Sequence, residues 1–114
     1  MAVTVQTVFL ADETKVEPAR KLFEAYYGEQ MPVTNFVIQP PCDGRGLAIE
    51  AWAVGTSHAK LRYPEPGVVT VSYDGLSWIY AAADKVDGGS AYEQAARAFS
   101  GLNEKLGRAG GLVR

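Results

Sequence analysis

"AVTVQTVFL" (residues 2–10) decides the fold of this 114-residue chain. Its β-branched and apolar residues fall on two mixed faces, with Val3, Val5, Thr7 and Phe9 on one and Thr4, Gln6, Val8 and Leu10 on the other. A strand that is packed on both sides has this pattern, because successive side chains point to opposite faces. We therefore predict a central strand over residues 2–10.

Two amphipathic helices are predicted around this strand. The first spans residues 11–28, with Pro18 near its start and Gly28 as a stop. The second begins at a capping box formed by Ser90 and Glu93, and the "GRAGG" segment ends it near residue 108. Apolar residues recur at helical spacing in the first helix at Val16, Ala19, Leu22, Phe23, Tyr26 and Tyr27, and in the second at Ala91, Ala95, Ala98, Phe99, Leu102 and Leu106.

Strand-like segments account for much of the remaining chain. We predict that residues 32–38 and 46–54 pair as a hairpin across the stiff loop "QPPCDGRG", and that residues 68–83 form a second hairpin around Asp74-Gly75. The segment 56–67 has two prolines and little periodicity, which predicts a surface connection.

These elements predict a single domain over residues 1–114 with an α+β fold. The expected architecture is a two-layer sandwich in which two helices share one face of a mixed β-sheet. The other sheet face stays partly apolar, because Val8, Trp52, Trp78 and Tyr80 exceed what two helices can cover. An uncovered apolar sheet face is typical of a subunit interface, so we expect self-association.

Composition and charge narrow the classes of partner. Eleven basic and thirteen acidic residues give a formal net charge of −2, without the basic stripe that nucleic-acid binding requires. One cysteine cannot form an internal disulfide, and no apolar run or charged leader suggests a membrane span or an export signal. These features predict a cytoplasmic, soluble protein that binds neither nucleic acid nor membranes.

Several stretches resemble the Rid family, also called the YjgF/UK114 family. "VTVQTVFLADETKVEPARKLFEAYYGE" (3–29) and "LAIEAWAV" (47–54) look like the C-terminal half of that family. Residues 68–110 resemble its N-terminal half, most clearly in "YEQAARAFSGLNEKLGRAGG" (92–111). The halves stand in swapped order, so the chain looks like a circular permutant in which residues 56–67 join the usual termini; one unit of a tandem array is the alternative.

The resemblance implies a chorismate-mutase-like fold, a homotrimer and pockets between neighbouring subunits. It also implies hydrolysis of reactive imines and enamines, without a cofactor. The arginine that grips the substrate carboxylate in deaminating members falls here at Thr34, or at Asn35 if the register slips. Neither side chain forms a bidentate pair with a carboxylate, so the standard imine deaminase is not expected.

Glu50 is the expected catalytic residue, because it matches the glutamate of the family's closing strand. Its position between Ile49 and Ala51, two residues before Trp52, would desolvate the carboxylate and suit it to general acid or base work. The alternative is a glutamate paired across a subunit interface. A looser likeness to chorismatases, whose closing-strand glutamate protonates an enolpyruvyl group, implies a similar role for Glu50.

Other residues are expected at the pocket in binding roles. Asn35 would hydrogen-bond a carbonyl or enol, and Arg45 would reach an anionic group, although a solvated turn charge is favoured for Arg45. Cys42 is expected to form pocket wall rather than a nucleophile, because His58, the one histidine, lies sixteen positions away. Trp52 and Tyr80 would supply aromatic contacts, and one histidine and one cysteine fall short of a zinc site.

Two functions of different class remain open from the sequence. The first is a Rid-like enzyme that acts on an imine, enamine or enol by acid–base hydrolysis or tautomerisation. The second is a non-catalytic small-molecule-binding or assembly module of the same fold.

Overall fold

A computed structural model describes residues 1–110, so the last four residues of the expected domain lie outside the described part. The fold is α+β, as predicted, and its strands form two three-stranded sheets instead of one continuous sheet. The strands are β1 (Ala2–Leu10), β2 (Val33–Ile38), β3 (Leu47–Val54), β4 (Lys60–Glu65), β5 (Val68–Tyr73) and β6 (Leu76–Ala81), and the α-helices are α1 (Val16–Tyr27) and α2 (Ala91–Arg108). Short 3-10 turns, Glu13–Lys15 and Gly28–Gln30, flank α1.

The central position of β1 is confirmed. In the first sheet β2 pairs with it in parallel and β3 pairs with its other edge antiparallel. Val8, Leu10 and Ala19 form a buried cluster between β1 and α1. Of the four apolar residues that two helices were not expected to cover together, Val8 is therefore one that α1 covers.

The prediction that residues 32–38 and 46–54 pair as a hairpin is wrong, because β1 lies between the two strands. The loop that joins them is too long for a tight hairpin turn, and it carries the chain past the end of β1. There the amide of Ala11 donates to the carbonyl of Gly46 at 3.1 Å. Asp43 and Gly44 do form a turn, but it lies within the loop.

The segment 56–67 contains a strand that the prolines concealed. β4 pairs antiparallel with β5, and its register breaks between Arg62 and Glu65 around Pro64. Proline is tolerated there because an edge strand needs no amide on its open side. The second predicted hairpin is confirmed: β5 and β6 pair around Asp74 and Gly75, both of which have positive φ.

A second core cluster joins the two sheets. It consists of Val33 from β2 with Val69 and Val71 from β5, and Val5, Val54 and Tyr80 pack against it. The neighbouring Val68 is buried on the opposite side of β5, the side on which α2 packs. Both helices thus lie outside the strands, and one side of each sheet turns toward this shared cluster.

Candidate functional site

A polar row crosses the first sheet on the side away from α1. Thr7 pairs with Asn35 on one flank and with Glu50 on the other, so the three side chains lie on the same face. Adjacent strands are about 5 Å apart, which sets Asn35 and Glu50 about 10 Å apart across Thr7. Asn35 and Glu50 are exposed, and Thr7 is half-buried.

Aromatic side chains continue this surface. Trp52 follows Glu50 by two residues on β3, about 7 Å along the same face, and it is 68% exposed. In the second sheet, Tyr73, Leu76 and Trp78 lie on the side of β5 and β6 that faces the shared core. We refer to the exposed residues on the core-bearing sides of the two sheets as the open face, namely Asn35, Glu50 and Trp52 in the first sheet and Tyr73, Leu76 and Trp78 in the second.

The open face agrees with the expectation for Trp52 and Trp78, because both remain uncovered in the single chain. Trp78 is 44% exposed. Tyr80 pairs with Val69 and packs half-buried against the shared core beside this surface. The described residues thus leave much apolar surface available to another molecule.

Glu50 does not have the surroundings that the sequence suggested. Its carboxylate was expected to be desolvated, but the residue is exposed in the single chain. The neighbours Ile49 and Ala51 provide no cover, because they point to the opposite face and are themselves exposed. Only a molecule placed over the open face can desolvate Glu50.

Thr34 lies on the opposite face from Asn35. Its hydroxyl accepts a hydrogen bond from the side-chain amide of Gln6 at 3.1 Å and donates to the carbonyl of Pro32 at 2.9 Å. The hydroxyl of Tyr27 donates to the Gln6 side chain at 3.4 Å. This network ties β1, β2 and α1 together, and burial raises the pKa of the Tyr27 hydroxyl. Thr34 therefore does not join Glu50 on the open face.

The loop between β2 and β3 carries Cys42 and Arg45, and neither meets Glu50. Cys42 is an exposed free thiol. The backbone amide of Arg45 and its guanidinium both contact the Asp43 carboxylate, the latter at 3.2 Å, and the side chain is 81% exposed. This arrangement matches a solvated turn charge. His58 is exposed in the segment before β4.

A feature that the sequence reasoning missed is a pair of adjoining grooves along the outer edge of β2. Their volumes are about 830 Å³ and about 540 Å³, and both are lined by Arg20 and Thr34. Arg20 lies over the ring of Phe36, 5.0 Å from its centroid, and pairs with Glu17. Arg20 falls within the helix predicted from the sequence, but the sequence did not indicate that β2 would be an edge strand.

Lys105 lines the smaller groove and is only 6% exposed. Its ammonium donates to the carbonyl of Ala82 at 3.0 Å and to the carboxylate of Asp84 at 2.6 Å. The lysine thus anchors α2 to the end of β6. The apolar positions predicted for the second helix do not include Lys105, so the sequence did not indicate its burial.

Metal and membrane sites receive no support from the described part of the chain. Within residues 1–110, no group of three or more histidine, cysteine or acidic side chains is arranged to hold a metal ion. None of the helices in the same range has both the length and the apolarity required to cross a bilayer.

Comparisons with known proteins add no relative. No family model matches the chain, and no curated protein and no solved structure matches it. The likeness to the Rid family therefore rests on the sequence stretches quoted above.

Proposed function

We propose that this chain is a Rid-like enzyme that hydrolyses or tautomerises a small imine, enamine or enol with Glu50 as its proton-transferring group. The observation that carries the proposal is the row in which Asn35 and Glu50 flank Thr7 on the open face. A carboxyl group transfers protons, and an amide about 10 Å away hydrogen-bonds the far end of a small substrate. Trp52 supplies an aromatic wall beside them.

The proposed active unit is a self-associated form, a homotrimer by analogy with the Rid family. A carboxyl group works best as an acid or base when water is excluded, and Glu50 is exposed in the single chain. A second copy seated on the open face would cover Trp52 and Trp78 and desolvate Glu50 in the same step. Exposed aromatic surface of this kind is typical of interfaces.

The proposed reaction on an imine consumes one water molecule. Glu50 in its acid form would protonate the imine nitrogen, and water would add to the carbon as the carboxylate takes up its proton. Glu50 would then give this proton to the nitrogen, and the carbon–nitrogen bond would break as the hydroxyl proton returns to the Glu50 carboxylate, which releases an amine or ammonia and leaves a carbonyl compound. The resemblance sets Thr34 where deaminating Rid members have their carboxylate-binding arginine, so carboxylate binding by that arginine is not part of this proposal.

The second candidate is a non-catalytic binding module. The observation that favours it concerns the described strand residues beside Glu50 on the open face. These are Thr7 and Trp52, and neither has an acid or base that could share proton transfer with Glu50. In this case the same surface would hold a small molecule or another subunit without turnover.

We propose that either function operates in the cytoplasm. Cys42 is an exposed free thiol, which a reducing compartment preserves.

Turnover of a panel of imines, enamines and enol ethers separates the two candidates. Glu50→Gln keeps the size of the side chain and removes its acid–base function, so we expect a loss of at least about 100-fold in turnover. Glu104→Gln, on an exposed part of α2, is the matched control and should act as wild type. Unchanged turnover in Glu50→Gln, with assembly intact, contradicts the enzymatic proposal; absence of turnover by wild type across the panel favours the binding module.

A further inference from the structure

The open face carries a distinctive charge pattern. Glu50 is its one charged side chain among the six residues that define it. The nearby basic residues of β4, Lys60 and Arg62, alternate away from it, because the intervening Leu61 points into the shared core. The strands of the described chain thus present a carboxylate and four aromatic rings on this side, counting Tyr80, without an opposing cation.

This pattern has a direct consequence for ligand charge. An ammonium or iminium group gains Coulomb attraction from Glu50 and attraction to the faces of the tryptophan and tyrosine rings. A carboxylate would meet repulsion from Glu50, and no guanidinium or ammonium on these strands would offset it. A ligand at this surface would therefore be selected by its charge.

We propose that the open face selects small cationic ligands, namely ammonium or iminium compounds that lack a carboxylate. The inference rests on the proposed function, since it names the class of substrate for the same site. It separates this chain from an enzyme for imino acids, whose substrates carry the carboxylate that this surface disfavours.

The geometry supports recognition of a ligand of modest size. Trp52 lies about 7 Å along the strand from Glu50, so an ammonium bound to the carboxylate has an aromatic ring within reach. Asn35, on the far side of Thr7, offers both a donor and an acceptor for a polar group at the other end of the ligand.

The test uses three probes that share one ring: protonated benzylamine, benzyl alcohol and benzoate. Binding to the whole chain is followed by tryptophan fluorescence and isothermal titration calorimetry. We expect benzylammonium to bind about tenfold more tightly than benzoate, with benzyl alcohol between them, and the preference to weaken as salt is added. Glu50→Gln should remove the preference, and Glu50→Asp and Glu104→Gln should retain it.

Three results would overturn the inference. Benzoate could bind as tightly as benzylammonium, the preference could survive in Glu50→Gln, or benzylammonium could show no saturable binding in the millimolar range. Failure of the enzymatic proposal is distinguishable, because turnover can be absent from the reaction panel while the charge preference and its dependence on Glu50 remain.

Discussion

Replacement of Lys105 by methionine provides a sharp test of how α2 is held to the strands. The lysine is 6% exposed, and its ammonium donates to Ala82 and Asp84. Methionine keeps most of the buried stem and removes both donors. Because the two acceptors differ in exposure, their contributions can be separated.

The hydrogen bond to Ala82 should account for most of the loss. A bond from a charged donor to a partly buried carbonyl contributes about 1.5–3 kcal/mol, because the carbonyl has no easy access to water once the donor is gone. Asp84 has a side chain that is 78% exposed, so solvent screens its pair with Lys105 to about 1 kcal/mol or less. We expect Lys105→Met to lower the free energy of unfolding by about 2 kcal/mol after the relief of burying a charge.

Urea unfolding followed by tryptophan fluorescence measures this change, at one fixed protein concentration because the chain is expected to self-associate. Asp84→Asn is the matched variant, since it removes the ion pair and leaves the bond to Ala82. It should cost less than half as much as Lys105→Met. Equal losses in the two variants, or a methionine variant as stable as wild type, would refute the reasoning.

Three further predictions concern the core, a cap and the tyrosines. Val69→Ala should destabilise the chain by about 2 kcal/mol in urea unfolding, because Val69 is fully buried where the sheets meet; a loss below about 0.5 kcal/mol would contradict that packing. Ser90→Ala should cost about 1 kcal/mol, because the capping box is complete, and an unchanged unfolding midpoint would speak against it. Burial raises the pKa of Tyr27 and Tyr63 above 10.0, so both should ionise last in an alkaline absorbance titration. The free energy of unfolding should fall as the pH rises from 10.0 toward the pKa values of these tyrosines in the folded chain, because the unfolded chain ionises first. Early ionisation of both tyrosines would contradict this burial.

Local signals in the sequence predicted local structure well. The capping box forms as expected, with the Glu93 amide donating to the Ser90 hydroxyl and the Ser90 amide donating to the Glu93 carboxylate. Asp74 and Gly75 adopt positive φ in the turn between β5 and β6. These features depend on residues close in sequence, which is why single positions suffice to predict them.

Pairing between distant strands was beyond such signals. Residues 32–38 and 46–54 read as a hairpin because they are neighbours in sequence, yet each pairs with β1. The buried faces of the helices were also predicted incompletely. Leu22 and Phe99 belong to the predicted apolar faces of the two helices, yet each is 72% exposed. Helical spacing gives an apolar stripe but not its width, which depends on how much of the strand layer each helix covers.

For the candidate site, the sequence identified Glu50, Asn35 and Trp52, which the structure brings to one face. Strand alternation predicts that Thr34 and Asn35 point to opposite sides, but the position of α1 determines which side is covered. In the structure the Thr34 side chain lies on the helix side, where its hydroxyl forms hydrogen bonds with Gln6 and Pro32. The sequence predicted a desolvated Glu50, whereas the residue is exposed in the single chain. Apolar neighbours in the sequence do not show whether a carboxylate is covered by its own chain or by a second copy.

Light scattering on the whole chain after size-exclusion chromatography tests most directly whether the open face is a surface between subunits. We predict a particle of three times the mass of one chain, which Trp78→Lys dissociates and Tyr92→Lys, on the exposed surface of α2, leaves intact. A wild-type chain that remains a monomer at micromolar concentration, or a trimer that persists in Trp78→Lys, would contradict the account.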